Sequence, residues 1–230
     1  MTFKCHQLLT PLRRAALRSS AHRRLLSTTV ATGPSQCPEC HSPLPTPLPA
    51  CPKCSFISRT PSNIRYHEMF DLPPNDNPFT INDKQLTRQF RKLQQTVHPD
   101  VWSAKGEAES SAAANLSSLV NHAFKTLQNP VLRVEHILRE QGIDLAESEQ
   151  TLEDPVLLMQ IMESREALDE ATSQEQVDVI VSETQGAMNE TMREVEEQCE
   201  KCRWAELQTS AIRLRYLQNI LNAAKAWDPS

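Results

Sequence analysis

The sequence predicts an all-α protein that contains two helical units and a small cysteine-rich segment. Long stretches rich in Glu, Gln, Leu and Ala have the composition of helices. Only 4 glycines and 5% aromatic residues disfavour a β-rich fold with many tight turns. Hydrophobic residues make up 39% of the 230 residues, which is enough for a packed core. The sequence has no run of about 18 apolar residues, so no membrane-spanning helix is expected.

Residues 1–36 differ in charge from the rest of the chain. They carry six Lys and Arg residues, no Asp or Glu, and many Ser, Thr, Ala and Leu residues. This composition is typical of a mitochondrial transit peptide and predicts a location in the mitochondrial matrix; a disordered basic tail is the alternative. Removing six positive charges from the net charge of −5 leaves −11 on the remaining residues. An acidic body of this kind disfavours nucleic acid as the main partner.

Residues 37–60, here called the tetracysteine segment, contain two Cys-x-x-Cys pairs separated by a ten-residue, Pro-rich spacer. The four candidate metal ligands are Cys37, Cys40, Cys51 and Cys54. Four thiolates complete a tetrahedral Zn²⁺ site, which leaves no open position for catalysis. Because the spacer favours neither a helix nor a central strand, the metal is expected to be the main source of order. Disulfides and iron–sulfur ligation are the alternatives. The Gly that often follows such a pair is replaced by His41 and Ser55.

Residues 85–98 predict an amphipathic helix that ends at an exposed turn. Its apolar stripe repeats at helical spacing and consists of Leu86, Phe90, Leu93 and Val97. Its opposite face is basic and polar and carries Arg88, Arg91, Lys92 and Gln95. Pro99 ends the helix, because it lacks an N–H group and disfavours helical geometry at His98. A catalytic pairing of His98 with Asp100 is disfavoured, since no nucleophile or Gly-rich loop accompanies these residues.

The segments on either side of this helix are also predicted to contain helices, which places the His98-Pro99-Asp100 tripeptide between two helical segments. An apolar helix start at 66–73 precedes it, and a loop at 101–110 and a long helix follow it. A further helix is predicted at 131–141, where Gly142 ends it. The window from 66 to about 138 resembles a J domain, in which a helical hairpin presents His-Pro-Asp at its tip. The resemblance implies that residues 64–140 form this domain.

The C-terminal part predicts a second helical unit. Residues 141–154 are expected to form a linker, and Asp154 and Pro155 have the residue types of a helix N-cap and first position. Helical segments follow at about 155–171, 173–202 and 203–226. Their short connections favour antiparallel neighbours, so residues 155–230 are expected to form a three-helix bundle. Near the second junction, Cys199 and Cys202 are interpreted as structural thiols, with a metal site or a disulfide as alternatives.

The first helix of this bundle has too many apolar residues for a single stripe. Leu157, Ile161 and Leu168 follow one line along the helix, while other apolar residues lie on a different line. The second line consists of Leu158, Met159 and Met162. Periodicity alone leaves two interpretations open. This line is either buried in the core or forms an exposed contact surface with a charged rim.

A J domain joined to a C-terminal helical bundle resembles the HscB-type co-chaperones of iron–sulfur cluster assembly. The tetracysteine segment resembles that of mitochondrial members, and residues 158–168 are similar to the family's scaffold-binding helix. The resemblance implies that the scaffold-binding residues are Leu158, Met159, Met162, Glu163, Arg165, Glu166 and Tyr216. It also implies that the residues that bind a DnaK-type chaperone are Arg88, Arg91, Lys92, His98, Pro99 and Asp100.

The function that this resemblance implies is that of an adaptor and not of an enzyme. Its expected partners are a mitochondrial DnaK-type (70 kDa heat-shock) chaperone and an IscU-type iron–sulfur scaffold, with neither nucleic acid nor a membrane. ATP would be bound and hydrolysed by the chaperone, because the sequence contains no P-loop. The expected cofactor is a structural Zn²⁺ ion. A general J-protein for mitochondrial folding or import is the alternative. A nucleic-acid binder and a thiol-redox enzyme are less favoured, given the acidic body and the lack of a βαβ context.

Overall fold

The computed structural model describes residues 36–58, 64–72, 77–145 and 155–228. The predicted transit peptide up to residue 35, the predicted N-cap Asp154 and residues 146–154 of the linker lie outside the described residues. All regular elements of the described part are helices, as expected. They are α1 (Tyr66–Met69), α2 (Asp83–Val97), α3 (Pro99–Trp102), α4 (Glu107–Gln128), α5 (Pro130–Glu140), α6 (Pro155–Asp169), α7 (Gln174–Glu200) and α8 (Trp204–Lys225). Within these ranges, no helix has the length and apolar character needed to span a bilayer.

The predicted helical hairpin is formed by α2 and α4, which pack together, while α1 and α3 pack against α4. The Phe90 ring stacks on the Phe124 ring, with centroids 4.1 Å apart. On the polar side, Gln94 accepts a hydrogen bond from the Ser117 hydroxyl at 2.9 Å and so ties the two helices together. The buried side chains of this hairpin core include Met69, Phe70, Leu86, Leu93, Val97, Trp102, Leu116, Val120 and Leu127.

The segment after the hairpin tip is more ordered than the predicted loop at 101–110. Pro99 does end α2, as expected, but it also occupies the first position of the short helix α3. α4 already begins at Glu107, after Gly106 with a φ of +146°. The loop prediction was therefore wrong at both ends, because residues 101–102 belong to α3 and residues 107–110 belong to α4. The physical reason is that Glu107 and Glu109 favour the first turn of a helix, where they face its positive end.

Helix α5 begins and ends at residues with clear capping roles. The Asn129 side chain accepts hydrogen bonds from the N–H groups of Val131 and Leu132, and Pro130 stands at the first position. At the other end, Gly142 adopts a φ of +79°, and its N–H donates to the carbonyl of Arg139. The predicted stop at Gly142 is thus confirmed, since a left-handed residue closes the helix there.

The C-terminal unit is a three-helix bundle, as predicted, in which α7 and α8 pack along each other and α6 packs against both. Its central core, here called the bundle core, also takes in the apolar face of α5. The buried residues of the bundle core include Phe79, Val131, Val134, Ile137, Leu138, Met188, Val195, Cys199, Leu207, Ala211 and Leu214. A smaller cluster around Leu168, Val177 and Ile220 closes the far end. Helix α5 thus joins the hairpin to the bundle. The predicted end of the J domain at residue 140 and the predicted start of the bundle at residue 155 remain predictions.

Candidate functional site

The tip of the hairpin presents His98 and Asp100 to solvent in a defined geometry. His98 has an extended backbone, and its Nδ1 atom accepts a hydrogen bond from the N–H of Asp100 at 3.3 Å. The side chain of His98 therefore caps α3. The Asp100 carboxylate lies 3.5 Å from the same Nδ1 atom, and both side chains are exposed. The tip is thus a short capped helix and not an irregular turn.

Trp102 holds this tip against the end of α2. Its indole N–H donates to the carbonyl of Thr96 at 2.9 Å, and its ring is buried in the hairpin core. The indole thereby satisfies one of the last carbonyls of α2, which has no partner within the helix. Trp102 was not among the residues predicted to form the site. The available signal was a lone aromatic residue in a polar stretch directly after the tripeptide.

The basic residues predicted on α2 lie together on one exposed face. Arg88, Arg91 and Lys92 are exposed and line a shallow groove on this helix, with Lys84 and Gln95 beside them. This face is continuous along the helix that ends at His98. The arrangement can present several positive charges to a negatively charged partner surface next to the tip.

The structure resolves the ambiguity of α6, because its second apolar line is exposed. Leu158, Met159 and Met162 are 41%, 56% and 61% exposed, and are here called the Leu/Met patch. By contrast, Ile161 and Leu168 are buried. The neighbouring residues that form an exposed charged rim are Glu163, Arg165 and Glu166. An exposed Leu/Met surface beside charged residues is typical of a protein-binding site.

Tyr216, the remaining predicted scaffold-binding residue, lies on α8. It is half-buried and packs against the bundle core. The exposed edge of a half-buried aromatic ring remains available for contact with a partner. Its participation in the same surface as the Leu/Met patch remains a prediction.

The four cysteines of the tetracysteine segment converge on one point, as predicted. Their Sγ atoms all lie within 4.8 Å of one another. The closest pairs join the two halves of the segment: Cys37 to Cys54 at 3.5 Å, and Cys40 to Cys51 at 3.7 Å. In a tetrahedral Zn²⁺ site with Zn–S bonds of about 2.3 Å, neighbouring sulfur atoms are about 3.8 Å apart. The cluster therefore has the size and ligand type of a Zn(Cys)₄ site.

The two halves repeat the same backbone turn. The N–H groups of His41 and Ser55 donate to the carbonyls of Cys37 and Cys51, at 2.9 and 3.1 Å. Both His41 and Ser55 adopt left-handed backbone conformations, with φ values of +54° and +62°. These are the positions at which Gly was expected, because Gly adopts positive φ without strain. The missing glycines do not prevent the turn from forming.

Hydrogen bonds and burial act on these thiols in opposite directions. Hydrogen bonds from the side chain and backbone of Ser42 lower the pKa of Cys40 to about 6. Desolvation, together with the neighbouring thiols, raises the pKa of Cys54 to about 12. The raised pKa of Cys54 means that this thiol would ionise readily only beside a compensating positive charge, which a bound divalent cation would supply.

Cys199 and Cys202 lie at the junction of α7 and α8, as expected, and their role as structural thiols remains a prediction. Cys199 is a free thiol in the bundle core, and its burial raises the pKa to about 12. Cys202 follows the end of α7, where it takes a φ of +53° and donates its N–H to the carbonyl of Cys199. The two side chains are not joined by a disulfide. Among the described residues, the group of three or more converging metal-ligand side chains is the tetracysteine cluster, and it includes neither Cys199 nor Cys202.

Comparisons with known proteins agree with this arrangement. Residues 153–225 match the family model described as the HSCB C-terminal oligomerisation domain. The chain is 34% identical to a co-chaperone protein HscB homolog of Aliivibrio salmonicida over 161 residues, which covers 68% of this chain and 92% of that protein. It is 31% identical to the iron-sulfur cluster co-chaperone protein HscB of Mus musculus over 206 residues, which covers 86% of each chain. The crystal structure of human co-chaperone protein HscB superposes with a TM-score of 0.70 at 27% identity, covering 83% of this chain and 97% of that chain. The chain therefore belongs to the HscB family of co-chaperones.

Proposed function

We propose that the protein is an adaptor that brings a DnaK-type chaperone and an IscU-type iron–sulfur scaffold together. The observation that carries this proposal is the separation of two exposed surfaces on one packed body. The hairpin presents His98 and Asp100 at a braced tip, and α6 presents the Leu/Met patch. Two partners held by one body meet at a raised effective concentration.

The chaperone would bind the hairpin. The basic face formed by Arg88, Arg91 and Lys92 would steer the hairpin toward an acidic surface, which raises the association rate. The tip residues His98, Pro99 and Asp100 would then contact the chaperone in the state that hydrolyses ATP. Binding that state more tightly than the other shifts the chaperone's population toward it. The chain itself would bind no ATP and catalyse no reaction, which agrees with the co-chaperone names of its relatives.

The scaffold would bind α6. Leu158, Met159 and Met162 would supply the apolar centre of the interface, because large exposed apolar side chains gain most from removal from water. The charged rim and Tyr216 would set the orientation of the scaffold through polar and aromatic contacts at the edge. The scaffold would carry its cluster to the chaperone, so that ATP hydrolysis drives release of the cluster.

The tetracysteine segment would hold a structural Zn²⁺ ion through Cys37, Cys40, Cys51 and Cys54. When bound, the ion supplies cross-links between two turns and neutralises their thiolates. The basic, acid-free composition of residues 1–36 supports import into the mitochondrial matrix and removal of this segment. Mass determination of the protein purified from mitochondria tests this location, since an unprocessed N-terminus would contradict it.

Steady-state ATP hydrolysis by a DnaK-type chaperone tests the function. Wild-type protein is expected to stimulate hydrolysis, and the scaffold is expected to increase this stimulation further. His98→Gln is expected to abolish both effects, whereas combined Leu158→Ala and Met162→Ala substitutions remove only the scaffold-dependent part. Val179→Ala on α7 is the matched control, because the Val179 side chain is exposed to a similar degree, at 57%, but lies outside the Leu/Met patch. Stimulation that is indifferent to the scaffold would instead indicate a general J-protein.

A further inference from the structure

The spacer of the tetracysteine segment reaches into the hairpin core. Leu48, near the C-terminal end of this spacer, has no exposed surface, and Ala50 is equally buried. Both belong to the same buried cluster as Met69, Phe70 and Leu86 of the hairpin. From its sequence, the spacer was expected only to connect the two cysteine pairs. It is in fact part of the wall of the hairpin core.

The core residues of the spacer are rigidly linked to the metal ligands. Ala50 immediately precedes Cys51, whose side chain is also buried. The Ala50 N–H donates to the carbonyl of Leu48 at 2.8 Å, which makes a tight turn between the inserted leucine and the ligand. On the other side of the second pair, Ile57 packs against the same core. The backbone of the metal ligand Cys51 therefore cannot move far without moving Leu48, Ala50 and Ile57.

The spacer lies in a stretch with little regular secondary structure. Between residues 36 and 58, the structure contains no helix, and its strand content is limited to two isolated bridges, Gln36 with Pro43 and Ala50 with Ile57. Buried Thr46 makes no side-chain hydrogen bond in the described part of the chain. The backbone hydrogen bonds of the spacer that the structure describes lie near its two ends, at residues 41–42 and 48–50, whereas a central ion would fix all four cysteines at once.

We propose that metal occupancy of the tetracysteine site is coupled to the stability of the hairpin, because the ion holds Leu48 and Ala50 in the hairpin core. A ligand that binds only the ordered form stabilises that form by mass action. The coupling is reciprocal, so removal of the Leu48 side chain weakens metal binding as well. Loss of the ion would loosen the hairpin that carries His98, while the bundle, whose core is separate, stays folded. This proposal does not depend on the identity of either protein partner.

Amide hydrogen exchange of the full-length protein loaded with Zn²⁺ tests the coupling. Release of the ion by a chelator, verified by metal analysis, is expected to speed exchange at least tenfold in peptides from α2 and α4. Peptides from α7 and α8 serve as the internal control and are expected to keep their protection. Unchanged protection of α2 and α4 after verified metal release would overturn the proposal. An equal loss of protection throughout the chain would overturn it too, because the effect would then be global.

A matched pair of variants tests the reciprocal effect. Leu48→Ala is expected to weaken Zn²⁺ binding at least tenfold in a competition titration with a chromogenic chelator. Leu132→Ala is the control, since Leu132 is an exposed leucine on α5 and lies outside the hairpin core. Equal Zn²⁺ affinities of the two variants would contradict the coupling. If Leu48→Ala fails to fold, the chelator experiment on the wild-type protein still decides the proposal.

Discussion

Arg133 on α5 donates a hydrogen bond from Nη1 to the carbonyl of Phe79 at 2.8 Å, and its guanidinium carbon lies 5.4 Å from the centre of the Phe79 ring. The Arg133 side chain is buried, and its Nε atom also donates to the carbonyl of Leu127 at 2.6 Å. Burial lowers the pKa of Arg133, while Asp83 at the start of α2 partly opposes this effect. One buried cation thus ties the loop before α2 to the end of α4.

The same loop also contacts the bundle. The Phe79 side chain lies in the bundle core. The side-chain amide of Asn77 donates to the carbonyl of Glu196 on α7 at 2.8 Å, and the Thr80 hydroxyl donates to the carboxylate of Glu196 at 2.8 Å. The loop that precedes α2 is therefore held between the two helical units.

Replacing Arg133 by Met is expected to destabilise the protein by about 3 kcal/mol, because the carbonyls of Phe79 and Leu127 lose their donors while remaining buried. Urea unfolding followed by circular dichroism measures this loss. Arg88→Met is the matched control, since Arg88 is exposed on α2 and its loss is expected to change stability by less than about 0.5 kcal/mol. Equal free energies of unfolding for the two variants would show that the buried hydrogen bonds of Arg133 do not contribute to stability.

His136 is expected to make stability depend on pH. Its ring stacks on Tyr66 with centroids 4.1 Å apart, and burial, followed by the charges of His67, Arg139 and His122, lowers its pKa to about 4. Its Nε2 atom lies 3.5 Å from the Glu140 carboxylate but makes no hydrogen bond. Desolvation also raises the pKa of Glu140, so burial disfavours the charged form of both partners.

The sign of the effect follows from proton binding in the two states. Between pH 6.5 and about 4 the unfolded chain binds a proton at His136 that the folded chain excludes, so its contribution to stability is lost as the pH falls. The loss at pH 4 amounts to at most about 3 kcal/mol. His136→Phe keeps the aromatic ring and is expected to flatten the stability profile measured by urea unfolding from pH 7 to 4. A profile as steep as that of the wild type would assign the pH dependence to other groups, such as Glu140 or His67.

Trp102→Phe is expected to destabilise the hairpin by about 1 kcal/mol, because the Thr96 carbonyl loses the indole N–H as its donor. The ring volume is largely retained, so the variant is expected to fold. Thr96→Ala keeps the accepting carbonyl and serves as the control in the same thermal unfolding assay. A larger loss in Thr96→Ala than in Trp102→Phe would argue against a role of the indole hydrogen bond.

Met159→Ala combined with Met162→Ala is expected to weaken binding of an IscU-type scaffold by about 10- to 100-fold, as is usual for apolar anchors of an interface. Because both side chains are exposed, stability is expected to change by less than about 0.5 kcal/mol. Isothermal titration calorimetry measures the affinity, with Val179→Ala as the control. An affinity equal to that of the control would move the scaffold site away from α6.

Local sequence patterns predicted much of the fold and parts of the site. The apolar stripe from Leu86 to Val97 and the four cysteines were both recognised from spacing alone, because each depends on residues close in the sequence. The stop at Gly142 was recognised for the same reason. By contrast, Pro99 was read only as a helix stop, although the same fixed φ also suits the start of the next helix.

Features that depend on tertiary packing could not be predicted. The hydrogen bond from Arg133 to Phe79 spans 54 residues, and no local pattern marks either partner. Burial of Leu48 requires a hairpin core that forms from other parts of the chain. The exposure of Met162 was left open, because α6 has apolar residues on two lines and only the neighbouring helices decide which line is covered.

The central claim is that one molecule binds the chaperone and the scaffold at the same time through two separate surfaces. Sedimentation of a fluorescently labelled scaffold in the presence of the chaperone and ATP tests this most directly. The account predicts that wild-type protein carries the scaffold into a faster complex that contains all three proteins. This complex is expected to be lost with His98→Gln and with the combined Leu158→Ala and Met162→Ala variant. The combined variant is still expected to sediment with the chaperone. A three-protein complex that persists in both variants, or that never forms with the wild type, would contradict the adaptor account.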